Sequence, residues 1–209
     1  MKKFFVSAFV FLVVSANLCA QVQVGVRAGV HESSKGSSGG GFVPGFTVAV
    51  PVHVPLTNSW GIRLEPSFVQ KGWQTKVDYT TDLGQPAGTG DMRIRYGVAE
   101  LPLLLSFRKG GPNRLAYYAV AGPSVGYVLG GKLKITKDNA ELLRDEVRFE
   151  NRLAVGVAGG GGIEMPLGRV RTFLDVRYQY ELSRNDPFKY RGAMHGFTVS
   201  VGCWLPTKK

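Results

Sequence analysis

Residues 98–128 read VAELPLLLSF (98–107), RKGGPNR (108–114) and LAYYAVAGPSVGYV (115–128). Two apolar runs flank a short link of Arg, Lys, Gly, Pro and Asn. That is the composition of a β-hairpin with a tight, wet turn. Each run has roughly the 9–11 residues that cross a bilayer as a tilted strand, and is too short for a spanning helix. The hairpin therefore points to a transmembrane sheet.

The same period of two runs through the rest of the chain. Val22, Val24, Val26, Ala28 and Val30 alternate with Gln23, Gly25, Arg27, Gly29 and His31. Residues 42–54 set Phe46, Val48, Val50 and Val52 against Thr47, Ala49, Pro51 and His53. Residues 60–73 set Trp60, Ile62, Leu64 and Phe68 against Gly61, Arg63, Glu65 and Lys71. Residues 152–165, 171–182 and 195–205 alternate alike. In strand four the parity breaks, because Met92, Ile94, Tyr96 and Val98 precede Leu101, Leu103, Leu105 and Phe107. A β-bulge near Ala99–Glu100 accounts for this; the alternative places 92–98 in an extension beyond the bilayer. The count is eight strands. Long connections are expected at 32–41, 74–91, 131–148 and 183–192, with a helical turn at 139–148. Short ones fall at 55–59, 109–113 and 166–169. Short periplasmic turns and long external loops give that rhythm. The reading is an all-β, eight-stranded antiparallel up-and-down transmembrane β-barrel with both termini periplasmic.

A soluble barrel with an apolar interior alternates equally well. Three features decide against it. The less apolar face of strands five and six is mostly Gly, Ala and Ser, which suits the narrow interior of an eight-stranded ring. That face carries charges of both signs: Arg27, Arg63, Glu65, Lys71, Glu100, Glu164, Asp175, Arg177 and Glu181. Such a set pairs across a packed lumen, with Arg27, Arg63 and Arg177 the expected partners of Glu100. Aromatic residues occupy the apolar face near strand ends: Trp60, Phe107 and Tyr117 at the short turns, Phe46, Phe68, Tyr127, Tyr180 and Phe197 towards the long loops. Two interfacial girdles have this form.

The start fits export. Met1-Lys2-Lys3, an apolar run over 4–16 and Ala20 before Gln21 form a secretory signal peptide cleaved after Ala20. The domains are then 1–20, the leader, and 21–209, the barrel. The apolar run is too short for an anchor, and Leu18 before Cys19 argues against lipidation. Losing Lys2 and Lys3, two of 26 basic residues against 15 acidic, lowers the charge from +11 to +9. Only Cys203 remains, so no internal disulfide forms.

Several motifs, in this order, resemble the PorT-like outer-membrane β-barrel proteins of Bacteroidetes. They are VRAGV at 26–30, ELPLLL at 100–105, AGP at 121–123 with Gly126-Tyr127, the glycine run over 156–162, and DVRYQY at 175–180. The resemblance implies an eight-stranded outer-membrane barrel, mostly of unassigned role, whose named member assists protein secretion. Such barrels usually end on an aromatic residue, whereas Trp204 here is followed by Leu205-Pro-Thr-Lys-Lys209.

Little points to chemistry. His31 and His195 are expected near each other at the outer rim, with Ser33 and Ser34 close by, but no spacing matches a hydrolase or metalloprotease motif. The glycines at 159–162 lack the Gly-Lys-Ser/Thr and following helix of a phosphate loop. No catalytic, cofactor-binding or metal-binding set is assigned, and no cofactor is expected. Basic residues near loops (Lys35, Lys76, Arg93, Arg95, Lys132, Lys134, Lys137, Lys189, Arg191) suit outer-membrane lipid and lipopolysaccharide as partners, or plain loop solubility. Nucleic-acid binding does not suit an exported chain without a recognition module. The expected function is a monomeric, non-enzymatic barrel whose external loops bind a protein partner. The alternatives are an accessory of secretion or surface assembly, a lipid-modifying enzyme and a soluble lipocalin-like barrel.

Overall fold

A computed structural model describes residues 22–36, 41–80, 86–111, 114–137, 140–168, 170–183 and 193–206. The expected leader (residues 1–20), most of the 183–192 connection, Lys189 and Arg191 lie outside the described residues. Eleven strands run in chain order: β1 (Gln23–Lys35), β2 (Val43–Ala49), β3 (Val52–Pro55), β4 (Trp60–Leu64), β5 (Ser67–Thr80), β6 (Pro86–Lys109), β7 (Ala116–Lys137), β8 (Ala140–Val147), β9 (Leu153–Leu167), β10 (Val170–Glu181) and β11 (Met194–Trp204).

These strands form a closed antiparallel ring of eight positions. β2 with β3 fills one position, and β4 with β5 another. β1 pairs with both β2 and β3; β2 passes the sheet to β5, and β3 to β4. Then come β6, β7, β9, β10 and β11. β11 returns to β1 from Gly25↔Trp204 to Lys35↔Met194 and closes the ring. β8 follows β9 along the same edge of β7, pairing with its upper part. The two divided positions break at Pro51 and Pro66, which have no N–H to give a ladder. Backbone bonds from Val50 N to the Pro66 carbonyl (2.9 Å) and from Gly25 N to the Pro51 carbonyl (2.8 Å) bridge the break.

The outer surface is apolar. Leu103, Leu105, Val199 and Val201 are each about half exposed (49%, 51%, 51% and 61%), and they belong to a continuous band. A patch that large needs a nonaqueous neighbour. The aromatic residues flank the band: Trp60 stacks on Phe107 (4.9 Å) near the short turns, and Tyr178 on Phe197 (4.9 Å) near the other end.

Three expectations are corrected. The connections over 74–91 and 131–148 are largely strand, because β5 and β6, and β7 and β8, continue their ladders beyond the band. Among the described residues of the expected helical turn at 139–148, Ala140–Val147 is strand: Lys132-Leu-Lys-Ile alternates cation with apolar residue, and β8 pairs with β7. β1 likewise continues through Ser33 to Lys35 rather than looping at Glu32.

The parity break in strand four is not a bulge at Ala99–Glu100. β6 alternates without interruption, with Met92, Ile94, Tyr96, Val98, Glu100, Leu104 and Ser106 all buried inside. The polarity inverts instead. Inside the long-hairpin end, Trp73, Met92, Ile94, Tyr96, Val98, Val128, Leu133, Val147 and Phe149 form an apolar cluster. The extension thus follows the ordinary rule of a sheet in water, apolar inside and polar outside. The register slip belongs to β7: Gly97 faces Gly130 but Val98 faces Val128, leaving Leu129 as the extra residue. Beyond it the inward side passes from even to odd numbers, so Leu133 turns in and Lys132 out.

Deleting Leu129 reverses that parity. The expected result is new trypsin cleavage within residues 131–148, while the band keeps its heat-modifiable migration on gels. An unchanged trypsin pattern would show that the bulge does not set the facing of the extension.

Candidate functional site

The lumen holds a stack of ion pairs, built because inward positions on neighbouring strands fall at the same height. At the short-turn end, Glu164 of β9 accepts hydrogen bonds from Arg108 Nε (2.9 Å) and Trp204 Nε1 (3.0 Å), with Arg171 at 3.5 Å. The Arg63 guanidinium lies over the rings of Trp204 (4.9 Å), Phe173 (5.1 Å) and Tyr118 (5.4 Å).

The middle layer centres on Glu65 and Asp175. Arg177 donates to Glu65 through both terminal nitrogens (Nη1 at 2.5 Å, Nη2 at 3.0 Å), a two-pronged pair. It also donates to Asp175 Oδ2 through Nη2 (2.6 Å) and Nε (3.1 Å). Arg63 pairs with Glu65. Arg27 reaches both acids, Glu65 at 3.3 Å and Asp175 at 3.5 Å. Ser200 Oγ (2.5 Å) and Tyr118 OH (2.9 Å) complete Asp175. Glycine makes this layer possible. Gly162 lies opposite Tyr118 on one side and Asp175 on the other. A Cβ there would stand 2.8 Å from both the Tyr118 hydroxyl and the Asp175 Cβ. Gly162, and Gly160 beside Arg177 (a Cβ there 2.8 Å from its Cγ), therefore open space for charged neighbours.

Above this, Lys71 Nζ sits between Glu100 (2.5 Å) and Glu181 (3.0 Å), and Gln179 Nε2 donates to Glu100 at 3.1 Å. The expectation that Glu100 pairs with Arg27, Arg63 or Arg177 is thereby corrected. Those arginines lie a layer lower, committed to Glu65 and Asp175, and Lys71 is the cation at the height of Glu100.

All eight residues read as a lumen network (Arg27, Arg63, Glu65, Glu100, Glu164, Asp175, Arg177, Glu181) have buried side chains inside the ring, in these three groups. The sequence reading omitted Arg108, Arg171, Tyr118 and Trp204 as partners. Parity held the signal for them: Arg108 shares that of Glu100, and Arg171 that of Asp175. Trp204 points inward to Glu164 and is not an outward terminal aromatic.

The histidine expectation is also corrected. His31 is buried inside (1% exposed) and shares a hydrogen bond of 2.8 Å with Thr198 Oγ1. His195 lies on the outer face, edge-on to Phe42 (5.8 Å) and near Tyr178 (6.2 Å). An odd-numbered residue of β1 faces in and one of β11 faces out, so the two rings leave the wall on opposite faces, although both residues border one small gap. Ser33 is occupied with Gly72, donating to its carbonyl (2.9 Å) and accepting from its N–H (2.8 Å). Among the described residues no three His, Cys, Asp or Glu side chains gather to hold a metal. The gap beside His31, Lys71, Glu100 and Gln179 has a volume of about 20 Å³, space for roughly one water.

Residues 15–186 match the family described as outer membrane protein beta-barrel domain. Among solved structures the chain is similar to neisserial surface protein A, NspA, at 12% identity, covering 90% of this chain and 99% of that one, with a TM-score of 0.52. It is also similar to Ail, the attachment invasion locus protein of Yersinia pestis (16%, 88% and 99%, 0.46), and to OprG of Pseudomonas aeruginosa (12%, 90% and 98%, 0.46). At 12% identity the likeness to NspA is one of fold alone. Comparison with curated protein sequences found no match.

Removing one member of a buried pair costs about 3–5 kcal/mol, because its partner stays charged and dry. Glu65→Gln leaves three guanidinium groups short of an acid, whereas Glu100→Gln leaves Lys71 with Glu181. In detergent micelles Glu65→Gln is expected to lower the urea midpoint of unfolding well beyond Glu100→Gln. Equal midpoints for both variants would refute a network centred on Glu65.

Proposed function

Because the chain belongs to the outer membrane protein beta-barrel domain family and so to the outer membrane, we propose that it is a closed, monomeric, non-enzymatic barrel that binds through the extensions at its long-hairpin end. The observation that carries this is the filled lumen. Among the described residues, three layers of ion pairs and, above them, an apolar cluster occupy the interior, and the gap beside His31 and Lys71 has room for about one water. An eight-stranded ring with its side chains so engaged is a wall and a platform, not a conduit.

The orientation follows from length. The links 55–59 and 109–113 are short, while β5–β6 and β7–β8 stand clear of the band. Short turns suit the periplasm and long hairpins the cell surface, which would put the chain ends in the periplasm; the basic start, the apolar run over 4–16 and Ala20 support a leader at residues 1–20. Ring closure leaves the band without a free edge, which suits a monomer.

A second reading, an accessory of protein secretion or surface assembly, is favoured by the ordered motifs that resemble PorT-like barrels. Its mark is loss of surface-protein secretion on deletion of the gene.

Two measurements test the main reading. In planar bilayers the purified protein is expected to give no steady single-channel current; a large, stable conductance would overturn the filled lumen. Thr89→Cys, placed in the β5–β6 extension in a Cys203→Ser background, is expected to react with an impermeant maleimide on intact cells. Reaction only after lysis would reverse the orientation.

A further inference from the structure

The outer face of the β6–β7–β8 extension is charged in a way that the lumen is not. Inside the ring, cations sit between carboxylates. Outside, cross-strand rows place cation beside cation. Arg93 faces Lys134, which faces Arg144 on the next strand. One row lower, Arg95 faces Lys132, which faces Glu146. Arg148 and Arg152 follow on the link to β9. Together they line a concavity of about 890 Å³ in which, among the described residues, Glu146 is the one carboxylate. Arg93 also donates to Gln74 Oε1 (3.0 Å); the concavity as a whole is lined by cations and that single carboxylate, so its charge complements an anion.

The bulge in β7 builds this face. Below Leu129 the even-numbered residues of β7 point into the barrel; above it Lys132 and Lys134 point out. Without the extra residue both lysines would enter the apolar cluster. Bulges commonly re-aim side chains in this way. The grid has a fixed spacing, about 4.8 Å across strands and about 6.8 Å between alternate residues along one. That matches several oxygens of one or two phosphate groups, and arginine binds phosphate with two parallel donors.

Position narrows the ligand. Arg93 and Arg95 share the outer face of β6 with Leu101 and Leu103. Lys132 follows the half-exposed Tyr127 and Leu129, and Arg152 precedes the outward Leu153. The cations therefore begin where the apolar band ends, at headgroup depth. We infer that this face is a binding site for the phosphate groups of a phosphorylated glycolipid, the lipopolysaccharide of the outer leaflet. The lipid identity rests on the orientation proposed above; the phosphate chemistry does not.

The test uses the full-length protein in phosphatidylcholine nanodiscs, with rough lipopolysaccharide and the same material after chemical dephosphorylation as probes. Expected results are saturable binding of the phosphorylated form, weakened by salt, and at least tenfold weaker binding of the dephosphorylated form. Arg95→Gln/Lys132→Gln should lose tenfold or more in affinity while keeping heat-modifiable migration. Lys76→Gln, on β5 away from the concavity, should bind as the parent does. Equal binding by the double variant and the parent, or equal binding of both lipid forms, would overturn the site. Tighter binding of a soluble sulfated oligosaccharide would overturn the lipid assignment in favour of a surface glycan. If Thr89→Cys labels only after lysis while phosphate-dependent binding persists, the orientation fails and lipopolysaccharide with it, but the phosphate site stands.

Discussion

Glu65 and Asp175 lie in the middle of the lumen and are shared among Arg27, Arg63 and Arg177. The rest of the barrel is arranged to permit this. A ring of eight strands has an interior about as wide as two facing side chains, and a charge there has no water to retreat to. Each guanidinium must find an acid from another strand at the same height. That requirement constrains the stagger of β1, β4, β10 and β11 as firmly as the backbone ladders do. It also explains the glycines of β9, which yield their side-chain space to Arg177, Asp175 and Tyr118.

Along the barrel axis the same backbone meets three media, and its polarity changes with each. In the band, apolar side chains face out and charges face in. In the long-hairpin extension the water is outside, so Ile94, Tyr96 and Leu133 face in while Arg93, Arg95 and Lys132 face out. β6 crosses the boundary with its alternation unbroken, and only the chemistry of its two faces exchanges. β7 crosses with one extra residue, Leu129, and changes parity to match. Lys132 and Lys134 join the outward arginines of β6 through that single insertion.

The filled lumen and the charged extension differ in what surrounds them. Ion pairs across the lumen favour a rigid wall, since opening it would strand charges in a dry interior. Beyond the band the charged side chains of the extension face outward. The two histidines illustrate the division: His31 is locked to Thr198 inside, and His195 is packed among aromatic rings outside.

Period-two alternation determined the eight positions of the ring and which residues of the band point inward, because a strand buried on one face cannot hide its pattern. Arg27, Glu65, Asp175 and Arg177 were legible for that reason, and Arg108 and Arg171 carried the same parity. Pairing was not legible. Whether Glu100 meets Lys71 or an arginine depends on the stagger between strands far apart in the chain, which local pattern does not encode. The polar connections at 74–91 and 131–148 resembled loops by composition, yet the ladders of β5–β6 and β7–β8 carry them onward as strand. The parity break in strand four was visible in the sequence, but its cause was not. The alternation of β6 is continuous, and what changes around it is the medium, from lipid to water, which only the closed ring and its height define.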